Sequence, residues 1–491
     1  MGTDFDTSWQ SVGVDLETGA GLLHRLTSYR PGREWDKPAD DPRLRHDLEP
    51  NDVAILPPPV KGYPDGLPVL DLPRELPDTG VSTTAVLAGH PAPPQTLDAA
   101  QLGRILCLGA GVVRTAERNG RRLLFRAAGS AGARFPLEVY VSARGVPGVP
   151  DAVHWYDPVR HALVQVGPAA AGGITTLIVT GVPWRTAWRY AERGFRHLYW
   201  DCGTLVAQLE AAVTSAGRAP RLRTLFPDVR VGELVGADGM HEFPLALLTV
   251  GEGDPAIVAT GPATPGELPA VEFPLYTAAQ RAGDRDELGE PWPAGDPLPD
   301  APAAESLDAV VRRRGSQRRM DRTRTVPFDT LHWATTAALR GIDVPHWVVV
   351  HGVDGVTPGI YRWPDLATPL RVGDLRGELE RICLGQSLAA EAAYVVIAAV
   401  GNDGLDDRGY REAQLAAGLV EGRLHIAAYA LGASATGMTF LDSEVPALLG
   451  ERADLITLLF TCVGVAEYQA RPGGVPGAPV PVRPVMPRLV E

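Results

Sequence analysis

Val311-Arg-Arg-Arg-Gly-Ser-Gln-Arg-Arg-Met320, called the arginine segment below, places five guanidinium groups and a serine just before residues 328–340, which have the pattern of an apolar helix. Arginine stays protonated, and its planar fork holds phosphate through two hydrogen bonds. The segment therefore suits the phosphate tail of a nucleotide cofactor. Because Arg314 and Arg318 are four residues apart, they could share a helical face toward that phosphate. A solvated basic run is the alternative.

A second segment, far upstream, has the complementary character. It reads Arg126-Ala-Ala-Gly-Ser-Ala-Gly-Ala-Arg-Phe-Pro136 and is called the small-residue segment below. Glycine and alanine leave the backbone accessible, so a planar ligand can approach it closely. We predict that backbone N–H groups of Ser130 and Gly132 face such a ring, while the arginine segment holds the phosphate. A plain turn is the alternative.

The second half of the chain repeats parts of the first half in the same order. A strand–turn–strand pattern at 154–166 returns at 359–372, and an apolar strand at 175–182 returns at 393–400. A long Ala/Leu helix at 203–217 returns at 417–432, and a short segment at 231–236 returns at 445–450. Four matched segments, offset by about 205–220 residues, indicate an internal duplication. Two unrelated α+β halves with common patterns are the alternative.

Composition divides the chain into four parts. Residues 1–80 are predicted to be an irregular extension, because they are rich in proline and have little periodicity. Residues 81–252 and 305–491 form the two domains. Residues 253–304, rich in proline, glycine and alanine, are predicted to be a linker or surface strap, because such a composition buries little apolar area.

Overall composition excludes several classes of function. The chain has 491 residues, 45% hydrophobic residues and a formal charge of −13, which argues against a nucleic-acid-binding surface. No apolar run approaches the roughly 20 residues that span a bilayer, and residues 1–7 lack the character of a signal peptide. We predict a cytoplasmic protein that binds neither nucleic acid nor membrane.

The four cysteines are scattered along the chain, which indicates neither a metal site nor a disulfide framework. Cys107 and Cys462 lie in apolar runs and are predicted to be small core residues.

From about residue 23 onward, the chain resembles the flavin-dependent nitroreductase superfamily, specifically its doubled SagB/ThcOx-type azoline dehydrogenase branch. The motifs are the small-residue segment, the arginine segment, and Arg189-Tyr-Ala-Glu-Arg-Gly-Phe-Arg196 leading into Asp201-Cys-Gly-Thr204. The resemblance implies an α+β protein: two copies of the nitroreductase fold, each a mixed sheet flanked by helices, joined as an intramolecular pseudo-dimer with FMN in the interface.

The resemblance also implies that only one of the two pseudo-symmetric sites holds FMN. The first-half counterpart of the arginine segment, Val81-Ser-Thr-Thr-Ala-Val86, has no cation. The second half has His346-Trp-Val-Val-Val-His-Gly-Val-Asp-Gly355 where its small-residue segment should lie. The implied cofactor-binding residues are Arg312, Arg314, Ser316, Arg318, Gly129, Ser130, Ala131, Gly132, Gly437, Met438 and Arg483. For Gly437 and Met438 the alternative is a helix end with a core methionine, and for Arg483 a surface residue.

Arg189 and Tyr190 occupy the position where azoline dehydrogenases of this type often carry a Lys-Tyr pair. Arginine stays protonated, so Arg189 can polarise or position a substrate but cannot accept a proton. Tyr190 would then have to act as the base, with the Arg189 charge lowering its pKa. A structural ion pair of Arg189 with Glu192 or Asp201 is the alternative.

The predicted function is oxidation of thiazoline or oxazoline rings to thiazole or oxazole in a ribosomally made peptide. Two alternatives remain: an NAD(P)H-dependent nitro or quinone reductase or another natural-product flavin oxidoreductase, and a degenerate scaffold subunit of a peptide-modifying complex. The expected partners are a peptide or small-molecule substrate and cyclodehydratase-type proteins. Whether the pseudo-dimer forms a homodimer stays open.

Overall fold

The structure, a computed structural model, describes residues 19–32, 41–118, 120–268 and 271–489. Residues 1–18 and 33–40, part of the predicted irregular extension, lie outside this range. Residues 1–7, on which the prediction of no signal peptide rests, lie outside it as well.

The described chain alternates helices and strands. The helices are α1 (Gly19–Thr27), α2 (Thr83–Leu87), α3 (Ala99–Ala110), α4 (Pro183–Tyr190), α5 (Gly194–Ser215), α6 (Asp228–Val235), α7 (Pro274–Ala282), α8 (Leu307–Arg313), α9 (Phe328–Leu339), α10 (Arg376–Ile382), α11 (Leu388–Glu391), α12 (Asp407–Ala430) and α13 (Val445–Leu449). The strands are β1 (Val69–Asp71), β2 (Val112–Arg118), β3 (Arg121–Arg126), β4 (Leu137–Ser142), β5 (Ala152–Asp157), β6 (Ala162–Pro168), β7 (Thr176–Gly181), β8 (Arg221–Arg223), β9 (Phe243–Thr249), β10 (His346–Val350), β11 (Gly359–Arg362), β12 (Pro369–Val372), β13 (Tyr394–Val400), β14 (Ser434–Met438), β15 (Ile456–Gly464) and β16 (Val480–Pro481).

The two large sheets have the same topology. The first sheet has the order β1-β6-β5-β4-β7-β9-β8, and the second has β12-β11-β10-β13-β15-β14. Replacing β4 to β9 by β10 to β15 converts one order into the other, with β1 as an extra edge strand of the first. Neighbouring strands in both sheets are antiparallel, and parallel pairing occurs between β16 and β2 in a small third sheet. The duplicated α+β fold is therefore confirmed, whereas the two large sheets are antiparallel throughout their described strands and not mixed as expected.

Each matched sequence segment occupies the same place in its half. The strand–turn–strand patterns form β5–β6 and β11–β12, and the apolar runs form β7 and β13. The long helices are α5 and α12, and the short ones, α6 and α13, both end at a left-handed glycine, Gly236 and Gly450.

Helices α5 and α12 pack directly against each other and join the two halves. They approach closely because glycines lie at their contact. A Cβ added at Gly203 would overlap the backbone of Leu415 and Leu419, and one at Gly418 would overlap the backbone of Trp200. A Cβ at Gly422 would lie 2.8 Å from Cα of Thr204. The halves therefore meet backbone to backbone, which larger side chains would prevent.

The two halves differ in the segment that joins α3 to β4 in the first half and α9 to β10 in the second half. In the first half, α3 is followed by the hairpin β2–β3 and the small-residue segment before β4 begins. In the second half, α9 leads through residues 340–345 directly into β10. The expectation that residues 346–355 replace the small-residue segment is therefore wrong, because His346–Val350 is the strand equivalent to β4.

The N-terminal extension and the linker are more ordered than composition indicated. Residues 41–80 add β1 to the first sheet, and α1 lies within the predicted irregular extension. The linker contains α7, whose Leu275, Tyr276 and Ala279 are buried. Composition missed α7 because its apolar residues pack against distant parts of the chain, as Tyr276 does against Phe195 on α5.

The described residues carry little sign of metal or membrane chemistry. All four cysteines are free and buried, as predicted for Cys107 and Cys462. Among the described residues, no group of three or more histidine, cysteine or acidic side chains is placed to hold a metal ion. No described helix combines the length and the apolar character needed to cross a membrane.

Gly203→Ala is expected to destabilise the protein, although alanine favours a helix by about 1 kcal/mol over glycine. Its methyl group would meet the backbone of α12, which cannot rotate away, and such overpacking costs about 1–3 kcal/mol. The midpoint of thermal unfolding measures this effect. Gly377→Ala in α10 is the matched control, because no atom lies within 4 Å of its added Cβ. A Gly203→Ala protein that melts at or above Gly377→Ala would contradict the backbone contact.

Candidate active site

The small-residue segment and the arginine segment, 175 or more residues apart in sequence, lie against each other. Nη2 of Arg314 donates to the carbonyl of Ala127 at 2.6 Å. A Cβ added at Gly129 would lie 3.4 Å from Oγ of Ser316 and 3.6 Å from Nη1 of Arg314. The first half and the second half thus each contribute one side of a shared site, which is called the cleft below.

Arg314 is a buried cation held in place by both halves. Its Nη1 lies 2.8 Å from Nδ1 of His425 on α12, whereas its buried Nε has no hydrogen-bond partner among the described residues. Burial lowers the pKa of Arg314 to about 10, so the guanidinium remains protonated at neutral pH. The predicted shared helical face of Arg314 and Arg318 is wrong. Helix α8 ends at Arg313, and Arg314 has extended backbone (φ −55°, ψ 140°).

Arg318 presents a partly exposed guanidinium that forms no hydrogen bond or ion pair within the described part of the chain, while its backbone N–H donates to the hydroxyl of Tyr468 at 3.3 Å. Burial raises the pKa of Tyr190, and the charge of Arg318 offsets part of this rise, so the two side chains are near each other. Arg312 lies in the last turn of α8, and its carbonyl accepts from Nη2 of Arg114 at 2.6 Å. No described contact joins the Arg312 side chain to the small-residue segment.

The small-residue segment is held from α5 by Asp201. Oγ of Ser130 donates to Oδ2 of Asp201 at 2.5 Å, and the N–H of Ala131 donates to Oδ1 at 2.9 Å. Burial raises the pKa of Asp201 to about 7, against the lowering effect of these two hydrogen bonds. The N–H of Ala131 therefore faces Asp201 and is not available to a ligand, while Asp201 is a proton-exchanging group at neutral pH.

Arg189 and Tyr190, at the end of α4, close over the small-residue segment. Gly132 has a φ of +57°, and a Cβ there would lie 2.6 Å from both Cδ of Arg189 and the hydroxyl of Tyr190. Only glycine fits this position, because the conformation is left-handed and the space is filled. The predicted catalytic pair thus lies directly beside the predicted ring-binding backbone.

The expectation that the Arg189 charge gives Tyr190 a lowered pKa is wrong. The half-buried phenol stacks on the ring of His197, with centroids 4.0 Å apart and planes 9° from parallel. Burial raises the pKa of Tyr190 by more than Arg189 lowers it. Arg189 is exposed and donates to Oδ1 of Asn51 at 3.3 Å. Tyr190 is therefore protonated at neutral pH and can donate a proton but not accept one.

Sequence analysis missed three polar groups that face the cleft from the two central helices. Burial, together with the Asp201 carboxylate, raises the pKa of Glu421 to about 8. His425 lies one turn further along α12, with Nε2 3.5 Å from Oε1 of Glu421, and burial keeps its pKa well below the usual value. His197, on α5, is buried with neither ring nitrogen hydrogen-bonded within the described residues. Polar residues four apart on the buried face of an Ala/Leu helix were the signal that could have identified Glu421 and His425.

The remaining predicted residues lie at different distances from this cluster. Gly437 and Met438 are in β14, and a Cβ at Gly437 would overlap the carboxylate of Glu421. Met438 is buried in the core of the second sheet. Arg483 is exposed just beyond β16, and among the described residues no contact brings its side chain to the cleft. Gly437 thus lies beside Glu421, whereas no described contact joins the Arg483 side chain to the cleft.

Comparison with known proteins finds one relative by sequence and similar folds among solved structures. The chain is 31% identical over 166 residues to a protein of Methanocaldococcus jannaschii named as a nitroreductase, covering 31% of this chain and 79% of that protein. A nitroreductase crystal structure from Anabaena variabilis superposes with a TM-score of 0.70 at 24% identity, covering 92% of this chain and 100% of that one. An FMN-dependent nitroreductase from Clostridium difficile R20291 matches at a TM-score of 0.25 and 14% identity, covering 33% of this chain and 90% of that one. No protein-family model matches.

Asp201→Asn is expected to remove a pH-dependent loss of stability. Above the ordinary pKa of 3.8 the unfolded chain ionises this carboxyl, whereas the folded protein keeps it protonated until about pH 7. Because the folded state holds the extra proton between these values, the free energy of unfolding falls as pH rises, by at most about 1.4 kcal/mol per unit. Asparagine has no such proton, so the stability of the variant relative to wild type should rise across this window and level off above it.

Urea unfolding at several pH values measures this relative stability. The exposed Asp65→Asn is the control for loss of one surface negative charge. A pH-independent difference between Asp201→Asn and wild type would show that Asp201 ionises in the folded protein as it does in the unfolded chain.

Proposed function

The chain belongs to the nitroreductase family, and on that premise we propose that it is an FMN-dependent dehydrogenase that oxidises thiazoline or oxazoline rings of a ribosomally made peptide. One observation carries the proposal: the same interface site brings together arginines, a backbone segment with only small side chains, and the Arg189–Tyr190 pair. When bound, FMN supplies a ring that accepts a hydride. One FMN per chain is expected, because the second half lacks a small-residue segment.

The side chains present fit FMN. A phosphate needs cations that are not already paired, and the guanidinium of Arg318 and the buried Nε of Arg314 have no partner among the described residues. Ser316 lies beside them, close to Gly129. We therefore assign the phosphate to Arg314, Ser316 and Arg318, and the ring to residues 129–132.

Aromatisation of an azoline ring removes two hydrogens, one as a hydride and one as a proton. Arg189 cannot take the proton because it stays charged, and Tyr190 cannot because its own pKa is raised. Asp201 has a pKa of about 7, which matches a general base at neutral pH. Its carboxylate reaches the cleft through the hydroxyl of Ser130, so we infer that the proton leaves the substrate by way of Ser130 to Oδ2 of Asp201.

Tyr190 has a different role in this scheme. Its protonated hydroxyl can donate a hydrogen bond to a substrate heteroatom, which makes the neighbouring C–H more acidic. Arg189, exposed at the mouth of the cleft, adds a positive charge that attracts and orients an anionic or polar part of the substrate. His197 fixes the phenol by stacking beneath it.

An NAD(P)H-dependent nitro or quinone reductase is the second candidate, and the position of the protonated Tyr190 hydroxyl beside Gly132 favours it. A reductase must supply protons to its reduced substrate, and a protonated phenol beside the ring-binding backbone is such a donor. The two functions differ in the direction of proton movement, and this difference can be measured.

Arg318→Gln is expected to release FMN while leaving the fold intact, because Arg318 is not needed by any other described side chain. A charge-assisted hydrogen bond is worth about 1.5–3 kcal/mol, which corresponds to a loss of about 10- to 150-fold in affinity. Flavin released on denaturation and quantified by absorbance measures retention. Arg314→Gln should also release FMN. Because Arg314 is buried, this substitution is expected to destabilise the fold more than Arg318→Gln does.

Arg322→Gln, exposed just beyond the same segment, is the matched control for one lost positive charge. Wild-type retention of flavin in both Arg314→Gln and Arg318→Gln would place the phosphate elsewhere.

Tyr190→Phe is expected to keep FMN bound but to slow flavin reduction by an azoline peptide by about 10²-fold or more, because the hydroxyl that donates a hydrogen bond to the reacting substrate is lost. Arg189→Lys should retain activity, because the positive charge remains. Anaerobic single-turnover absorbance measures both.

For wild type, the azoline reaction should accelerate as pH rises through about 7, when Asp201 loses its proton.

A rate that is independent of pH in this range would exclude Asp201 as the base. Two results together would favour the reductase. NADPH alone should reduce the flavin rapidly in both wild type and Tyr190→Phe, and the variant should be slower only in the subsequent reduction of a nitro or quinone acceptor. Wild-type flavin reduction in Tyr190→Phe with both kinds of substrate would make this tyrosine a structural residue.

A further inference from the structure

A cavity of about 320 Å³ lies at the position that the duplication relates to the arginine segment. Residues 89–92 line it and follow α2, as residues 314–318 follow α8. Its other walls come from α5 and β8, the counterparts of α12 and β14, and from Arg340 directly after α9. The cavity is therefore the remodelled counterpart of the cleft described above.

The linker forms one wall of this cavity. It takes the place of the hairpin and the small-residue segment, which the second half lacks. Trp292 donates from its backbone N–H to the carbonyl of Leu222 at 2.6 Å and from Nε1 to the carbonyl of Gly341 at 2.9 Å. Gly341 has a φ of +73°, and an added Cβ would overlap the carbonyl of Pro293. The wall formed by residues 292–294 is therefore fixed by hydrogen bonds to both halves.

Four arginines and one carboxylate line the cavity, an excess of positive charge in a protein of net charge −13. Two of the arginines are neutralised: Arg423 pairs with Glu210 at 3.2 Å, and Arg221 pairs with Glu252 at 2.6 Å. Arg218 and Arg340 have no carboxylate partner within the described residues. The buried Nε of Arg218 lacks any described hydrogen-bond partner.

The guanidinium of Arg340 is pre-positioned in this cavity. Its Nε donates to the carbonyl of Leu87 at 3.3 Å, and its Nη1 donates to the carbonyl of Ala294 at 2.6 Å. Its Nη2 has no described partner. The group lies over Gly89, where φ is +79° and an added Cβ would meet Nη1 at 2.8 Å. Burial, and then the nearby Arg423 charge, lower the pKa of Arg340. A bound anion would stabilise the charged guanidinium in this environment.

Apolar side chains, including Leu87, Ala211, Leu222 and Trp292, form the rest of the wall. The volume is at the lower end of the range for small-molecule sites, roughly 300–1,000 Å³. We propose that this cavity binds an organic anion, a carboxylate or a phosphate monoester with an apolar body, whose charged group pairs with Arg340 and Arg218. This site is separate from the flavin cleft and does not depend on the proposed reaction.

Isothermal titration calorimetry of the full chain tests this proposal with three probes: benzoate, phenyl phosphate and the neutral benzamide. At least one of the two anions should bind, and the tighter one identifies the preferred head group. Benzamide should bind about 10-fold more weakly or not at all, because a charge-assisted hydrogen bond is lost. Absence of binding by both anions, or equal binding of benzamide, would overturn the proposal.

Four variants locate the binding site. Arg340→Gln should weaken anion binding about 10-fold or more, and Glu210→Gln should strengthen it by removing the one carboxylate of the wall. Arg218→Gln provides a second loss-of-charge variant if Arg340→Gln loosens the linker. Arg318→Gln should bind the anion as wild type does, which separates this cavity from the flavin cleft.

The exposed Arg230→Gln removes the same charge outside the cavity and is the matched control. Equal weakening in Arg230→Gln and Arg340→Gln, or loss of binding in Arg318→Gln, would refute the assignment. Because heat of binding is the readout, the result does not depend on whether FMN or an azoline substrate is ever turned over.

Discussion

The close approach of α5 and α12 is the constraint on which the rest of the structure depends. Glycines at 203, 418 and 422 let the two helix backbones touch, and each helix then delivers polar groups to the same cleft. Asp201 on α5 holds the small-residue segment, and His425 on α12 holds Arg314. A wider helix spacing would separate these two anchors and divide the cleft between the halves.

Duplication followed by divergence explains why two similar halves form two dissimilar cavities. The first half keeps the hairpin β2–β3 and the small-residue segment, whereas the second half keeps the arginine segment. At the counterpart position, residues 292–294 of the linker take the place of the missing wall, and arginines from other elements line it. In each place two arginines lack a carboxylate partner among the described residues: Arg314 and Arg318 in the cleft, and Arg218 and Arg340 in the cavity.

Sequence patterns predicted the repeated elements well, because they depend on local periodicity. The matched helices and strands fell where apolar residues recur at helical or strand spacing, and the pairing of the small-residue and arginine segments followed from complementary chemistry. Properties set by distant contacts were not predictable. The raised pKa of Tyr190 depends on burial against His197, and Glu421 and His425 become part of the cleft only through the crossing of two helices. Composition also concealed α7, because its burial is provided by residues far away in sequence.

The pairing of β16 with β2 has a consequence for biosynthesis. The small sheet of the first half is completed by Val480 and Pro481, which the ribosome delivers long after β2 and β3. Domains usually fold as they emerge, N-terminal part first. Here the edge of β2 must wait, unpaired, for more than 350 further residues to be translated. A nascent first half therefore exposes the open strand edge of β2 to chaperones until β16 has been translated.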